Sequence, residues 1–332
     1  MPGRTKIISR NEVKKLLSIA DCISVQEEAF VQSANNLAWN GPSSGIDEKA
    51  TMAYPMLIRI IFGGIEPNWW GVKMASYGSG GPKDRSRVQI MALFKAQDLC
   101  PVALIEWSYM GIVRTGAAAA VATKYLANKD ADVIGVLGTG AIARYGLLAH
   151  SAMDWPAKNV YVYSRSSKLR DDFVKEMSEK TGYHIESVDD PEYIARNSKI
   201  IITGTSSPDP VIMSEWIQPG THINGLGKET EIDPYLFSTS INIADEVYEA
   251  TNFGKIGNAI KKGVISLKHV HASLGEVIVG MKQGRENASQ ITLYDSSGLC
   301  FQDVAAAVKI VELAQERGLG YNIEFDYDQK IV

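Results

Sequence analysis

The chain has 332 residues, with Lys plus Arg 34 against Asp plus Glu 38, and a formal charge of −4 excludes nucleic-acid binding by bulk electrostatics. Hydrophobic residues at 45% and charged residues at 22% are ordinary globular values, which exclude extended disorder and fibrous repeats. Two domains sharing one chain is the expectation at this length. Cys22, Cys100 and Cys300 are far apart, with no CxxC pair and no histidine at zinc-ligand spacing, so neither a disulfide framework nor a metal is expected. The N-terminus is basic but lacks the apolar stretch of a secretory signal, and no run is long and apolar enough to span a bilayer. A cytoplasmic protein without membrane or nucleic-acid partners is the expected setting.

In chain order, KIIS at 6–9 predicts a short strand, and Asn11 a helix N-cap ahead of Val13, Leu16 and Leu17 at helical spacing. A second helix is expected from Ser24, with Val25, Ala29, Phe30 and Leu37 on one face. From 41 to 81, Gly, Pro and Ser punctuate short apolar runs, MLIRIIF at 56–62 and WWGVKMA at 69–75, which predicts strands and turns. Residues 88–107 read as two further strands joined by a turn at 97–101. At Arg114 an alanine-rich helix begins, and strands then alternate with helices: VIGVL 133–137, NVYVYS 159–164, KIIITG 199–204, THING 221–225 and INIAD 241–245. Such alternation implies a parallel sheet wrapped on both faces. A last apolar helix at 303–317 follows the DSSG turn at 295–298. The fold class is therefore α/β. A doubly wound, Rossmann-type parallel sheet over about 115–302 is joined to a β-rich α+β lobe made of 1–114 with 303–332.

The strongest local signal is VIGVLGTGAIA at 133–143, where a strand runs into Gly138-x-Gly140-x-x-Ala143 and then a helix. The glycines permit a tight turn close to a pyrophosphate, whose charge meets the helix N-terminus, and the small third residue lets helix and strand pack closely. A plain strand-to-helix turn is the alternative, and the flanking elements favour the nucleotide. After the second strand the chain reads Ser164-Arg165-Ser166-Ser167-Lys168 rather than offering an acidic residue to ribose hydroxyls. Cationic and hydroxyl groups there suit a 2′-phosphate, so NADP(H) is expected ahead of NAD(H). A solvated helix start is the other reading of Arg165.

Three cations stand in apolar or glycine-rich surroundings: Arg59 within MLIRIIF, Lys73 within WWGVKMA, and Arg114. An arginine inside an apolar strand needs an anion, and its planar fork suits a substrate carboxylate, although an internal ion pair or a snorkelling side chain serves equally well for each alone. A lysine desolvated beside other cations becomes a usable acid or base near neutrality. No GxSxG, Walker or HExxH sequence is present, and the pair His269-x-His271 has no carboxylate at metal spacing.

Together these segments resemble the ornithine cyclodeaminase/μ-crystallin family, which includes archaeal alanine dehydrogenase and several ketimine reductases. The resemblance spans nearly the whole chain and is carried by RTGAAAAVATKYLA at 114–127, the VIGVLGTGAIA turn, EWIQPGTHING at 215–225 and the stretch at 269–305. It implies a homodimer with the β-rich lobe at the subunit contact, a Rossmann lobe holding NAD(P)(H), and an active site in the cleft between lobes. It also implies that Arg59, Lys73 and Arg114, with Gln89, form the substrate-carboxylate and acid/base set. Thr115, Gly138, Gly140, Ala141 and Ile142 are then phosphate-side cofactor contacts, beside Ser164, Arg165 and Ser166. Thr203, Gly204, Thr205, Ser206, Leu226, Ser297 and Gly298 are nicotinamide-side ones.

The chain departs from the family's usual pattern at HINGLGKETEID, 222–233, a shorter loop without the aspartate that cyclodeaminases carry before the position of Lys228. The loop after Lys73 also differs, and Gln89 stands where threonine is common. The leading expectation is an NAD(P)H-dependent reductase of an imino acid, acting on a cyclic ketimine or on a 2-oxo acid plus an amine, or running in reverse as an amino-acid dehydrogenase. An NAD-dependent ornithine or lysine cyclodeaminase, with Asp47, Glu48 or Glu66 supplying the missing carboxylate, is the second reading. A non-catalytic NADP(H)- or ligand-binding protein is the third.

Overall fold

The structure is a computed structural model, and it describes residues 3–42, 44–48, 56–78, 87–97 and 101–325. The loop after Lys73, the turn at 97–101 and the segment at 41–55, a candidate lid, lie partly outside the described residues. The chain forms two compact units, Met1–Arg114 with Leu299–Val332, and Thr115–Gly298.

Strands β1 (Gly3–Ile8), β2 (Ala38–Asn40), β3 (Ser44–Glu48), β4 (Met56–Ile65), β5 (Trp69–Gly78), β6 (Arg87–Lys95) and β7 (Pro101–Glu106) belong to the first unit, with helices α1 (Arg10–Leu16) and α2 (Ile19–Ala34). Helix α3 (Met110–Leu126) follows, and then the second unit runs through β8 (Val133–Leu137), α4 (Ala141–Ser151), β9 (Asn159–Tyr163), α5 (Ser167–Thr181), β10 (His184–Ser187), α6 (Pro191–Asn197) and β11 (Ile200–Thr203). It continues with β12 (His222–Gly225), β13 (Ile241–Ala244), α7 (Val247–Phe253), α8 (Lys255–Lys261), β14 (Val270–Ser273), α9 (Leu274–Ile278) and β15 (Thr292–Asp295). Helix α10 (Cys300–Glu316) and strand β16 (Tyr321–Phe325) return to the first unit.

In the first unit the strand order is β16-β1-β7-β6-β5-β4-β2, with β3 also on β4. The long strands β4, β5 and β6 are antiparallel, and their register sets Ile61 across from Lys73, Lys73 across from Met91, and Met91 across from Ile105. One step along, Arg59 faces Ala75 and Ala75 faces Gln89. The period-two pleat thus gathers Arg59, Ile61, Lys73, Ala75, Gln89, Met91 and Ile105 on one face of the sheet. Apart from half-buried Arg59, these residues are buried. Helix α10 covers this face, with Phe301 edge-on to Phe30 of α2 at 6.1 Å and the thiol of Cys300 against the carbonyls of Ile61 and Gly71. Gly71 makes that approach possible, because a Cβ there would strike Met91 and crowd Val304. The opposite face presents Ile60, Phe62, Met74, Val88 and Ile90, all exposed, Val88 by 50% and Met74 by 48%.

The second unit carries an all-parallel sheet in the order β10-β9-β8-β11-β12-β15-β13-β14. Its first six strands follow the dinucleotide-binding order, with the switch point between β8 and β11. Ala117 to Ala122 of α3 are wholly buried, and Gly116 lets that helix meet the backbone of Tyr145 on α4. Behind this contact, the hydroxyl of Thr123 lies 2.8 Å from Nε2 of His150 and accepts from Nδ2 of Asn224 at 2.9 Å. Burial pushes His150 down to about 4, so this histidine is a neutral core group.

Several boundaries differ from the sequence reading. Helix α1 is capped by Ser9 rather than Asn11, because Ser9 and Glu12 exchange the reciprocal hydrogen bonds of a capping box. Helix α2 is capped by Ser18 and ends before Leu37, which is exposed. Helix α3 begins at Met110, which sets Arg114 a turn inside it, and α10 begins at Cys300 rather than Asp303. Strands β10, β14, β15 and β16 are short, and their sequences carry little periodicity to announce them. No helix among the described residues is long and apolar enough to cross a membrane.

Candidate active site

In the first unit, Lys73 and Arg114 meet on Asp303 of α10. The Lys73 ammonium donates to Oδ2, while Oδ1 accepts from Nε of Arg114 at 3.0 Å and from the indole Nε1 of Trp107 at 2.7 Å. Nη1 of Arg114 donates to Oε1 of Gln302 at 3.0 Å, and Nε2 of Gln26 donates to the Gln302 carbonyl at 3.1 Å. Lys73, Arg114, Trp107, Gln302 and Asp303 are all buried. Burial lowers the Lys73 ammonium to about 8, against the pull of Asp303 and with help from the Arg114 charge. Burial alone would raise the Asp303 carboxyl, but Arg114 and Lys73 together hold it below the usual range. The result is an ionised carboxylate beside a lysine whose ammonium is brought down to about 8.

Gln89 is buried on the same sheet face, its backbone N–H donating to the hydroxyl of Ser108 at 3.0 Å. Arg59 lies further along that face and is half-buried. Glu66 accepts from the Trp39 indole at 3.0 Å, whereas the side chains of Asp47 and Glu48 lie outside those described. Asp303 is the residue that sequence reasoning missed. A signal was present: it shares the stripe of α10 formed by the buried Ala307, Ile310, Val311 and Ala314, and a charge on an apolar stripe asks for a partner as much as Lys73 did.

In the second unit, the remaining site residues other than Thr115 collect at the carboxyl ends of the parallel strands. Gly138 follows β8 at φ +109°, where a Cβ would meet the Gly204 carbonyl at 2.8 Å, so the turn requires glycine. Gly140 caps α4 without a side-chain hydrogen bond, which leaves the first-turn amides of Ala141 and Ile142 with no side-chain cap. This is a cradle of the shape and polarity a pyrophosphate fits. Ser164, Arg165 and Ser166 follow β9: the Ser164 carbonyl accepts from Arg170 at 2.6 Å, Ser166 caps α5, and Arg165 between them is exposed.

Gly204, Thr205 and Ser206 follow Thr203 at the end of β11, Leu226 follows β12, and Ser297 and Gly298 follow β15. Thr115 lies on α3, outside this row of strand ends. The carboxylate of Asp245, just past β13, accepts from the Ser297 amide at 2.8 Å, the Ser297 hydroxyl at 2.6 Å and the Gly298 amide at 2.8 Å. Burial raises it to about 6 against those hydrogen bonds. Among the described residues no cluster of His, Cys, Asp and Glu is placed to hold a metal.

Comparison with known proteins places this geometry in context. The family model described as the ornithine cyclodeaminase/mu-crystallin family matches residues 4–318. The alanine dehydrogenase of Archaeoglobus fulgidus is 31% identical over 328 residues, 97% of this chain and 98% of that protein. Among solved structures, the Delta(1)-pyrroline-2-carboxylate reductase of Thermococcus litoralis, in complex with NADH and L-proline, is similar with a TM-score of 0.90 and 32% identity, covering 96% of this chain and 100% of that one. An archaeal alanine dehydrogenase dimer with bound NAD is similar with a TM-score of 0.89 and 31% identity, covering 98% and 100%.

The Asp303 junction generates a stability prediction. Asp303→Asn leaves Lys73 and Arg114 buried on a neutral amide, which is expected to cost about 3–5 kcal/mol in denaturant unfolding. A loss under about 1 kcal/mol would mean that the cations do not depend on this carboxylate.

Proposed function

The chain belongs to the ornithine cyclodeaminase/mu-crystallin family, and from that premise we propose that it is a nicotinamide-dependent oxidoreductase that reduces the C=N bond of an imino acid to an amino acid. The observation that carries the reading is the buried Lys73 on Asp303, one hydrogen-bonded step from Arg114. A fold alone does not name a reaction. A buried lysine near its titration point, beside an arginine suited to a carboxylate, is the equipment that an α-imino acid needs.

The cofactor would be held by Gly138, Gly140, Ala141 and Ile142 at its pyrophosphate and by Thr203 to Ser206, Leu226, Ser297 and Gly298 at its nicotinamide. When bound it supplies the hydride that adds to the imine carbon. Arg59 and Arg114, with Gln89 beside them, hold the substrate carboxylate and so orient the reacting carbon. Lys73 gives its proton to the imine nitrogen, and Asp303, by favouring the charged lysine, helps Lys73 regain that proton from water. The donor is the protonated form, so reduction loses rate as pH rises through about 8, whereas the reverse oxidation, in which Lys73 accepts a proton, gains.

Similar proteins of known structure carry NADH or NAD. In this chain, Arg165 beside the hydroxyls of Ser164 and Ser166 favours the 2′-phosphate of NADP(H). The segment 222–228 of this chain has no aspartate, which favours the reductase reading over the cyclodeaminase one.

The apolar sheet face bearing Ile60, Phe62, Met74, Val88 and Ile90 is the contact surface of a homodimer. A patch of this kind is uncommon on a protein that stays monomeric. The similar archaeal alanine dehydrogenase is a dimer.

Two experiments test these readings. Purified protein, offered cyclic ketimines and 2-oxo acids paired with ammonia or methylamine, should oxidise NADPH faster than NADH, and Arg165→Asp should cut the NADPH preference by about tenfold or more. Ammonia release from ornithine or lysine with no net change in reduced cofactor would replace the reductase by a cyclodeaminase. Met74→Glu combined with Ile90→Lys, a cross-strand pair that keeps the sheet intact, should give a monomer by sedimentation. A dimer of unchanged stability would move the contact elsewhere.

A further inference from the structure

The second unit contains a buried carboxylate that the proposed chemistry does not use. Glu231, in the segment after β12, has no exposed surface. Its Oε1 accepts from the Thr203 hydroxyl and the Gly227 amide, both at 2.7 Å. Its Oε2 accepts from the amide of Thr205 at 2.8 Å and from the Thr205 hydroxyl at 2.9 Å. These donors come from the end of β11 and the loop leaving it, and from the loop leaving β12. No Lys, Arg or His among the described residues makes an ion pair with it.

The surroundings are shaped around this carboxylate. A Cβ on Gly227 would fall onto Oε2 and onto the Thr205 backbone, so glycine is what admits Glu231 to the gap between the loops. The loops are also joined through the backbone, by Leu226 N–H to the Thr203 carbonyl at 3.0 Å and Lys228 N–H to the Thr205 carbonyl at 2.9 Å. An isolated buried carboxylate is costly, and four donors aimed at it offset that cost only in one arrangement of both loops. Those loops carry Thr203, Gly204, Thr205 and Leu226, the nicotinamide side of the proposed cofactor site. The groups assigned to the pyrophosphate and adenosine side follow β8 and β9, and Glu231 accepts no hydrogen bond from them, although the Gly204 carbonyl of the β11 loop lies against the Gly138 turn.

We propose that Glu231 is a positioning residue that fixes the nicotinamide end of the cofactor site by locking the loops after β11 and β12 to each other. This rests on the reading that the carboxyl edge of the second unit's sheet binds NADP(H). Glu231 acts only through Thr203, Thr205 and Gly227 and takes no part in hydride or proton transfer.

The test separates the two ends of the cofactor. Calorimetric titrations of the whole protein would use NADPH and 2′-phospho-ADP-ribose, which keeps the phosphates and lacks nicotinamide. In Glu231→Gln an amide NH₂ faces hydrogen-bond donors, and NADPH should bind about tenfold more weakly or worse, while 2′-phospho-ADP-ribose binds as to the wild type. Gly227→Ala, which displaces the carboxylate without removing it, should give the same split. Wild-type NADPH affinity in both variants would overturn the proposal. Equal weakening of both ligands would also overturn it, since Glu231 would then support the whole unit rather than one end. Failure of the wild type to bind either ligand would instead overturn the cofactor reading on which the proposal stands.

Discussion

The structure of the first unit depends on bringing two cations into an apolar sheet-and-helix sandwich, which requires an anion at the same depth. Asp303 meets that requirement from α10, with Trp107 and Arg114 on one oxygen and Lys73 on the other. Removing a charge from water costs several kcal/mol even after the surroundings relax, so such a group persists only where geometry and hydrogen bonds offset the cost. The sheet register, the start of α10 at Cys300 and the glycine at 71 all serve that meeting. Its chemical consequence is a lysine held near its titration point, which an exposed lysine would not be.

The second unit solves a different problem, presenting backbone amides and hydroxyls along one edge of a parallel sheet in fixed positions. Glycines at 138 and 227 bring backbone segments closer than any side chain would allow. Two carboxylates then immobilise the loops: Asp245 gathers the turn after β15, and Glu231 joins the loops after β11 and β12. Acceptor-only groups suit this work, because a carboxylate takes several amide and hydroxyl donors at once.

Much of this was legible in the sequence. The strand-glycine-helix signature at 133–143 depends only on local backbone requirements, and the parallel strands of the second unit mostly announced themselves as short apolar runs. Arg59 and Lys73 stood out because a cation at an alternating strand position contradicts the apolar pattern around it. Asp303 contradicts its helix in the same way, and the pattern was visible once the stripe of α10 was counted. Glu231 was not legible. It sits in a polar stretch with no period, between exposed Glu229 and buried Ile232, and only the meeting of two loops far apart in sequence makes it a core residue. The Ser-x-x-Glu spacing of a capping box at 9–12 marks Ser9, not Asn11, as the cap of α1. The exposed apolar face of the first sheet was hidden for another reason, since strand periodicity does not say which face is covered by the chain's own helix.

In the proposed reaction Lys73, tuned by burial and by Asp303, supplies the proton of imine reduction. The most direct measurement is the pH dependence of kcat for reduction in the wild type and in Lys73→Met. The wild-type rate is expected to fall as pH rises through about 8, and the variant to be slower by about 100-fold or more and to lack that step. A variant turning over at a near-normal rate with the same pH dependence would remove Lys73 from the chemistry.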